Sequence, residues 1–160
     1  MAVLNIHERT IPAPAAAAGA LIDGLAGPDD PIWPGPAWPP MLLDGPLAVG
    51  AAGGHGPVRY TVAGYAPGQW VRFRFNGPRG FDGFHEFTVQ PAGEGALLRH
   101  TIAMRLHGIG RLSWPLAFRW LHDALLEDGL DRAVRSGGGT VPRPARWNPY
   151  VRLLRRLIPH

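Results

Sequence analysis

The chain has 160 residues, of which 46% are hydrophobic and 18% charged, a composition that predicts one globular domain with a buried core. It has no cysteine, no run of about 18 apolar residues and no secretory signal pattern, which excludes disulfides, cysteine metal sites and a spanning helix and favours a cytoplasmic location. Residues 141–160 carry five of the 16 basic residues and no acidic one, so the net charge of +4 belongs to a tail, and nucleic-acid binding by the main domain is not expected.

The first third of the chain predicts two strands separated by a helix and an irregular segment. The β-branched residues of Val3–Ile11 predict a strand, and the alanines of Ala15–Leu25 predict a short helix. The prolines, glycines and tryptophans of Pro28–Pro46 predict an irregular segment with room for one short helical turn. A short strand is expected at Leu47–Ala52, followed by a flexible turn at Gly53–Gly56.

Four further strands are predicted at Val58–Tyr65, Trp70–Asn76, Phe84–Gln90 and Ala96–Leu106. The links between them are short, which predicts an antiparallel meander. Apolar and polar residues alternate along these strands, so one face of the sheet is expected to be buried and the other solvated. The residues predicted for the buried face are Val58, Tyr60, Val62, Val71, Phe73, Phe75, His85, Phe87, Val89, Leu98, His100, Ile102, Met104 and Leu106.

The stretch Ser113–Arg135 predicts one long amphipathic helix, with Ser113 as its N-cap and Pro115 in its first turn. At about 100° per residue, one side of this helix is apolar and is expected to lie on the sheet. The apolar side carries Trp114, Phe118, Leu121 and Leu125, and the opposite, solvated side carries Arg119, Asp123 and Glu127.

Four segments, Leu4–Ala15, Gly50–Tyr60, Gly83–Val89 and Trp114-Pro115, together with the order of the elements, carry a resemblance to a known family. The chain resembles the START-like helix-grip proteins of the SRPBCC superfamily, which include birch-pollen-allergen-like and polyketide cyclase/dehydratase-like proteins. The resemblance covers about residues 3–135 and implies an α+β fold, in which a curved antiparallel sheet wraps around the long C-terminal helix with a cavity between them. It implies no catalytic residue, because the superfamily has no universal one.

His85 and His100 occupy inward positions on two strands that are otherwise apolar on that face. If Pro91–Gly95 forms a hairpin with Val89 opposite Leu98, the two imidazoles are diagonal neighbours, about 7–8 Å apart by Cα. Such a pair can bind a ligand carbonyl or hydroxyl, or transfer protons in an enolisation, cyclisation or dehydration. The alternative is two neutral core histidines, each bonded to backbone or water. No metal site is expected, since two histidines without a third inward ligand do not make a zinc site.

The aromatic face of the sheet and the apolar side of the helix predict a ligand pocket, with a filled core as the alternative. With the resemblance, they favour binding of a small hydrophobic molecule, lipid-like or polyketide-like, without a cofactor. Two alternatives stay open: a polyketide cyclase/dehydratase-like enzyme and a membrane-peripheral lipid carrier. The candidate ligand-binding residues are Tyr60, Phe73, Phe75, His85, Phe87, His100, Met104, Trp114, Phe118 and Leu121, of which His85, His100 and Tyr60 are also the candidates for catalysis.

Three other signals are more typical of surface residues than of a site. Gly77–Gly83 lacks a phosphate-loop spacing and is expected to be an exposed hairpin tip; the alternative is that its residues Arg79 and Phe81 edge the mouth of a cavity. His55, in its glycine-rich turn, is also expected at the surface. The helix carboxylates fall largely on the solvated side and are not expected to act as acid or base: Asp123, Glu127 and Asp128.

The chain divides into a helix-grip domain at residues 1–139 and a basic tail at residues 140–160, in which Asn148-Pro149 begins a second amphipathic helix. A basic amphipathic helix can lie on an anionic membrane or associate with another copy through residues 148–158. We favour docking of its apolar side on its own domain, or association. The apolar side carries Tyr150, Leu153, Leu154, Leu157 and Ile158, and the basic side carries Arg152, Arg155 and Arg156.

Overall fold

A seven-stranded antiparallel sheet forms one layer of the computed structural model, which describes residues 1–157. The strand order is β1-β7-β6-β5-β4-β3-β2, so the N-terminal strand pairs with the last strand of the meander. The predicted meander is confirmed, and its strands extend one to three residues beyond several of the predicted ends. The strands are β1 Ala2–Ile11, β2 Leu42–Leu43, β3 Ala52–His55, β4 Val58–Ala66, β5 Trp70–Gly77, β6 Phe81–Ala92 and β7 Gly95–Leu106.

The prediction for residues 47–56 is wrong, because the strand in this region is β3 and includes the glycines that were expected to form a turn. Gly53 and Gly54 lie between two neighbouring strands at very close range. A Cβ at Gly53 would lie 1.9 Å from the carbonyl oxygen of Leu42, and one at Gly54 would lie 2.0 Å from that of Val58. These glycines therefore serve close backbone approach within the sheet and not flexibility.

A long helix spans residues 110–136 and packs on the sheet. It consists of α2 Gly110–Ser113, a π-helical turn at Trp114–Phe118, and α3 Arg119–Ser136. Ser113 lies inside this helix and makes no capping hydrogen bond, so its prediction as the N-cap is wrong. The π turn coincides with Pro115, which has no N–H for the ordinary helical pattern, and the N–H of Arg119 instead donates to the carbonyl oxygen of Trp114, five residues back.

The predicted parity of the sheet is confirmed, since the inward residues of β4 to β7 are buried or half-buried and the alternating residues are more exposed. They pack against one side of α3, where Leu130 and Ala133 are fully buried. The short helix α1 Ala15–Asp23 ends two residues before its predicted end, and a 3-10 turn at Gly35–Ala37 lies in the irregular segment. The fold is therefore α+β, with a sheet and a long C-terminal helix around a shared core.

The tail helix α4 Pro149–Arg156 docks on the domain, but not by the side that its sequence predicts. Asn148 caps it by accepting from the N–H of Val151 at 2.8 Å. Val151 and Arg155 are the buried residues, whereas Leu153 and Leu157 are 53% and 72% exposed. The expectation that the apolar side docks on the domain is thus wrong for these leucines, and Ile158 lies outside the described residues.

An arginine-aromatic contact explains this orientation of the tail. The Arg155 guanidinium lies 4.7 Å from the ring of Trp38 and 5.6 Å from that of Trp147, and it donates to the carbonyl oxygen of Ala37. Both indole N–H groups donate to the same carboxylate oxygen of Asp128, at 2.9 and 2.8 Å. The tail is therefore tied to the irregular segment and to α3 together. In the described part of the chain, no helix combines the length and apolar character needed to cross a membrane.

Candidate functional site

A cavity of about 90 Å³ lies between the sheet and the long helix, where the two buried clusters of the core meet. The irregular segment around Trp38 and the turn at Gly56-Pro57 complete its wall. Seven of the ten candidate ligand-binding residues line it: Phe75, His85, Phe87, His100, Trp114, Phe118 and Leu121.

The other three candidates share the buried face but do not line this cavity. Phe73 stacks on His85, with ring centroids 4.9 Å apart and planes at 17°. Tyr60 is fully buried, and its hydroxyl lies 3.1 Å from Nδ1 of His55; burial raises the pKa of this hydroxyl. Met104 belongs to the neighbouring cluster of Phe75 and Phe81. Tyr60 and Phe73 thus support the wall from behind.

His85 and His100 meet as the strand pattern predicts. Phe87 pairs with His100 and His85 pairs with Ile102, which is the predicted register. Nδ1 of His85 and Nε2 of His100 lie 3.3 Å apart, within hydrogen-bond distance. The remaining ring nitrogens, Nε2 of His85 and Nδ1 of His100, are buried and have no hydrogen-bond partner among residues 1–157.

A third imidazole, His122, joins the cavity wall and was missed from the sequence. Its ring centroid lies 5.1 Å from that of His100. Nδ1 of His122 lies 3.4 Å from Oδ1 of Asp123, and its Nε2 is buried without a partner in the described chain. The helical period contains a signal for it, because residue 122 follows Phe118 by four positions and precedes Leu125 by three.

Two further wall residues contradict their predicted exposure. Phe81 is buried, and its ring lies 5.2 Å from that of Phe118, so the Gly77–Gly83 segment is not simply an exposed tip; its last three residues belong to β6. His55 is half-buried in β3, where its ring lies 4.7 Å from that of Trp33. Burial lowers the pKa of His55 to about 3, which keeps this imidazole neutral.

Behind His122, a polar ladder joins β1 to α3. Asn5 donates to Oδ1 of Asp123 at 3.0 Å, and His7 contacts Asp123 at 3.1 Å and Glu127 at 2.8 Å through its two ring nitrogens. Arg9 donates to Glu127. The carboxylates of Asp123 and Glu127 are about one-third exposed and fully engaged, so the prediction of a solvated helix side is wrong here.

The pKa values separate His7, which is charged, from four neutral rings: His55, His85, His100 and His122. Burial lowers the pKa of His7, but hydrogen bonds to Asp123 and Glu127 outweigh it and raise the pKa to about 9. Burial lowers the pKa of His85 and His100 well below 6.5 and also lowers that of His122. Burial raises the pKa of the Asp123 carboxyl, but the hydrogen bonds from His122 and His7 lower this pKa by more, so the carboxyl is ionised.

One group in the described chain brings three residues with metal-ligating side chains together: His7, His122 and Asp123, with ligand atoms within 4.8 Å of one another. Its N···O distances of 3.1 and 3.4 Å match hydrogen bonds, and Asn5 donates to the same carboxylate oxygen. The group therefore forms a hydrogen-bonded ion-pair network around Asp123.

No protein-family model matches the sequence, and no curated protein sequence matches it either. The structure of the chain, however, is similar to solved structures. CalU16 from Micromonospora echinospora is similar over 98% of this chain and 83% of its own, with a TM-score of 0.62 and 14% identity. A norcoclaurine synthase point mutant from Thalictrum flavum, in complex with a transition-state analogue, is similar over 87% and 98%, with a TM-score of 0.64 and 15% identity.

The chain has the helix-grip fold. Ara h 8.0201 shares it as well, over 86% of this chain and 97% of its own, with a TM-score of 0.55 and 16% identity. The resemblance found in the sequence is thus confirmed as a fold. At these identities the helix-grip relatives establish the architecture alone, and the chemistry has to come from the cavity.

Proposed function

We propose that this helix-grip protein binds a small ligand with a flat, mostly apolar body and polar atoms at one end, in the cavity between the sheet and the long helix. The observation that carries the proposal is that three residues of an otherwise aromatic wall each have a buried ring nitrogen with no hydrogen-bond partner among residues 1–157: Nε2 of His85, Nδ1 of His100 and Nε2 of His122. A buried polar atom without a partner costs about 1–3 kcal/mol. A ligand that bonds these nitrogens removes that cost.

The size of the cavity limits how such a ligand enters. A cavity of about 150 Å³ holds benzene, and this one measures about 90 Å³. A ring therefore needs the wall to yield. The part of the wall without regular secondary structure is best suited to this, and it includes Pro39 and the Gly56-Pro57 turn.

NMR of the protein with labelled histidines tests the proposal. Native mass spectrometry of the purified protein first identifies a co-purifying ligand, and single-ring aromatic probes are then titrated. Binding should move the ring signals of His85, His100 and His122 and leave that of His107, which is exposed and does not line the cavity, in place. If every ligand that binds leaves all three buried rings unmoved, they are core histidines and the proposal fails.

A specific contact supports a second candidate function, acid–base catalysis on a carbonyl compound. Because the Asp123 carboxylate accepts from Nδ1–H of His122, Nε2 of His122 carries a lone pair and can act as a general base. The base would take a proton from the carbon next to a carbonyl, and the electron pair would move to the carbonyl oxygen. Tyr60 is a weaker candidate for catalysis than His122, since the Tyr60 hydroxyl is paired with His55.

Hydrogen–deuterium exchange of acetone, which is small enough for this cavity, tests the catalytic candidate. The wild-type protein in D2O should exchange the methyl protons faster than the His122→Gln variant does. Equal rates for the two proteins, or a wild-type rate equal to that of buffer, would exclude catalysis and leave the binding function.

The tail supports a third candidate function, peripheral binding to a membrane or self-association. Leu153 and Leu157 are exposed next to the exposed Arg152 and Arg156, a pattern suited to an anionic membrane or to another copy of the chain. Co-sedimentation with vesicles of phosphatidylcholine, with and without phosphatidylglycerol, separates the membrane from self-association, which ultracentrifugation detects. The division into residues 1–139 and 140–160 is likewise a proposal, tested by truncation below.

A further inference from the structure

We propose that the three imidazoles select a neutral ligand that donates two hydrogen bonds and accepts one, such as a dihydroxylated aromatic ring, and that they discriminate against carboxylates. The proposal rests on the ligand binding proposed above and names its chemical class. It follows from counting the protons on the ring nitrogens of His85, His100 and His122.

The His85–His100 pair has two protons for four nitrogens, because a neutral imidazole carries one N–H. One proton lies between the rings, in the 3.3 Å contact of Nδ1 of His85 with Nε2 of His100. If His85 donates it, Nε2 of His85 is a bare acceptor and Nδ1 of His100 carries an N–H. If His100 donates it, the two outer nitrogens exchange these roles. In both tautomers the pair therefore leaves one acceptor and one donor without a partner in the described chain, on two residues that line the cavity.

His122 adds a second acceptor. The Asp123 carboxylate can only accept, so the proton of His122 lies on Nδ1 and its Nε2 is bare. His122 stays neutral for two structural reasons: it is buried in the aromatic wall, and the charge of Asp123 is already matched by His7, whose ring lies 5.7 Å away. The three rings together offer two acceptors and one donor.

A ligand that satisfies all three nitrogens has two N–H or O–H groups and one acceptor. Two phenolic hydroxyls on one ring meet this requirement, because each hydroxyl donates and also accepts. A carboxylate donates nothing, so it leaves two lone pairs unpaired and brings an uncompensated charge into an apolar cavity. A dimethoxy ring accepts but does not donate. The cavity should therefore rank these three chemistries in a fixed order.

Three probes with the same ring test this order: resorcinol, 1,3-dimethoxybenzene and benzoate, each titrated into the full-length protein at pH 7.5 by NMR and calorimetry. Resorcinol should bind at least about tenfold more tightly than 1,3-dimethoxybenzene, since unpaired buried polar groups weaken binding by this order. Benzoate should bind the most weakly of the three.

A variant assigns the preference to the imidazole that supplies the second acceptor. His122→Phe keeps a flat ring and should reduce the affinity for resorcinol about tenfold, and with it the preference for resorcinol over phenol, which donates only once. His107→Phe is the control and should change neither value, because His107 is exposed and does not line the cavity. Thermal unfolding of both variants establishes that they are folded, and the wild-type ranking stands as a test without them.

The outcomes separate this proposal from the one on which it rests. If benzoate binds as well as resorcinol, or if the dimethoxy compound does, the ligand class is wrong while binding in the cavity stands. Toluene is titrated as well, as an aromatic probe without polar atoms. If neither toluene nor any of the other aromatic probes binds, the proposed binding function fails, and the proposed ligand class fails with it.

Discussion

Raising the pH from 6 to 9.5 should weaken the contact between β1 and α3, because it removes the proton that ties His7 to two carboxylates. Both ring nitrogens of His7 face carboxylate oxygens, at 3.1 Å for Asp123 and 2.8 Å for Glu127, so both must carry a proton for the two bonds to form. The pKa of His7 is about 9 in the folded protein, against an ordinary value of 6.5. A raised pKa stabilises the fold fully below pH 6.5, and this stabilisation is lost as the pH rises towards 9.

The size of the effect follows from the two pKa values. A difference between pKa values of about 9 and 6.5 corresponds to at most about 3.5 kcal/mol, at about 1.4 kcal/mol per pKa unit. The carboxylates of Asp123 and Glu127 are 31% and 33% exposed, and solvent screens a charge at such a position. We therefore expect the free energy of unfolding to fall by about 1–2 kcal/mol through this group.

Urea unfolding at pH 6, 7.5, 8.5 and 9.5 measures this fall in the free energy of unfolding. The quantity that matters is the difference between wild type and the His7→Gln variant, since other titrating groups contribute to both proteins. This difference should shrink as the pH rises, because the bonds from protonated His7 to Asp123 and Glu127 are lost. A wild-type advantage over His7→Gln that is the same at pH 6 and 9.5 would refute the charged state of His7.

Four further changes test the packing of the core and of the tail. Leu130→Ala should lower the free energy of unfolding by about 2–5 kcal/mol because Leu130 is fully buried. Leu121→Ala, at the cavity wall, should lower it by less than half as much in the same urea assay. Equal losses for the two variants would mean that the cavity is filled. Truncation after Ser136 should leave one cooperative thermal transition at a lower Tm; a molten product would show that the tail belongs to the core. Arg155→Met should leave Tm unchanged or raise it, because the buried guanidinium has two nitrogens without partners in the described chain, and a large loss would show that its aromatic contacts dominate.

The sheet was predictable from the sequence because its signal is local. Side chains alternate along a strand, and a short hairpin fixes the register, so Val89 opposite Leu98 was enough to bring His85 to His100. The strand in residues 47–56 was not predictable in this way. In a sequence, a glycine fits a flexible turn as well as a strand with close backbone neighbours. Only the atoms around Gly53 in the folded structure distinguish the two cases.

The carboxylate contacts of the site were not predictable, because they join residues about 118 positions apart. Asp123 lies on the solvated side of an isolated helix, but β1 pairs with β7 and thereby lies beside α3. Asn5 and His7 then cover part of that side. His122 was missed for a related reason: a histidine between two apolar positions fits either face, and the position of the cavity decides it.

The polar ladder of β1 and α3 has a geometric limit on its length. Alternate strand residues are about 6.7 Å apart, and helix residues four apart advance about 6.0 Å, so the two repeats stay in step for a few contacts and then diverge by about 0.7 Å at each one. The contacts made by Asn5, His7 and Arg9 fit within that range, and the next inward residue, Ile11, is fully buried with apolar neighbours. An edge strand held by unevenly matched spacings has one favoured position along the helix. Sliding β1 by two residues would move every partner at once, so the ladder fixes the position of this outer strand beside the cavity.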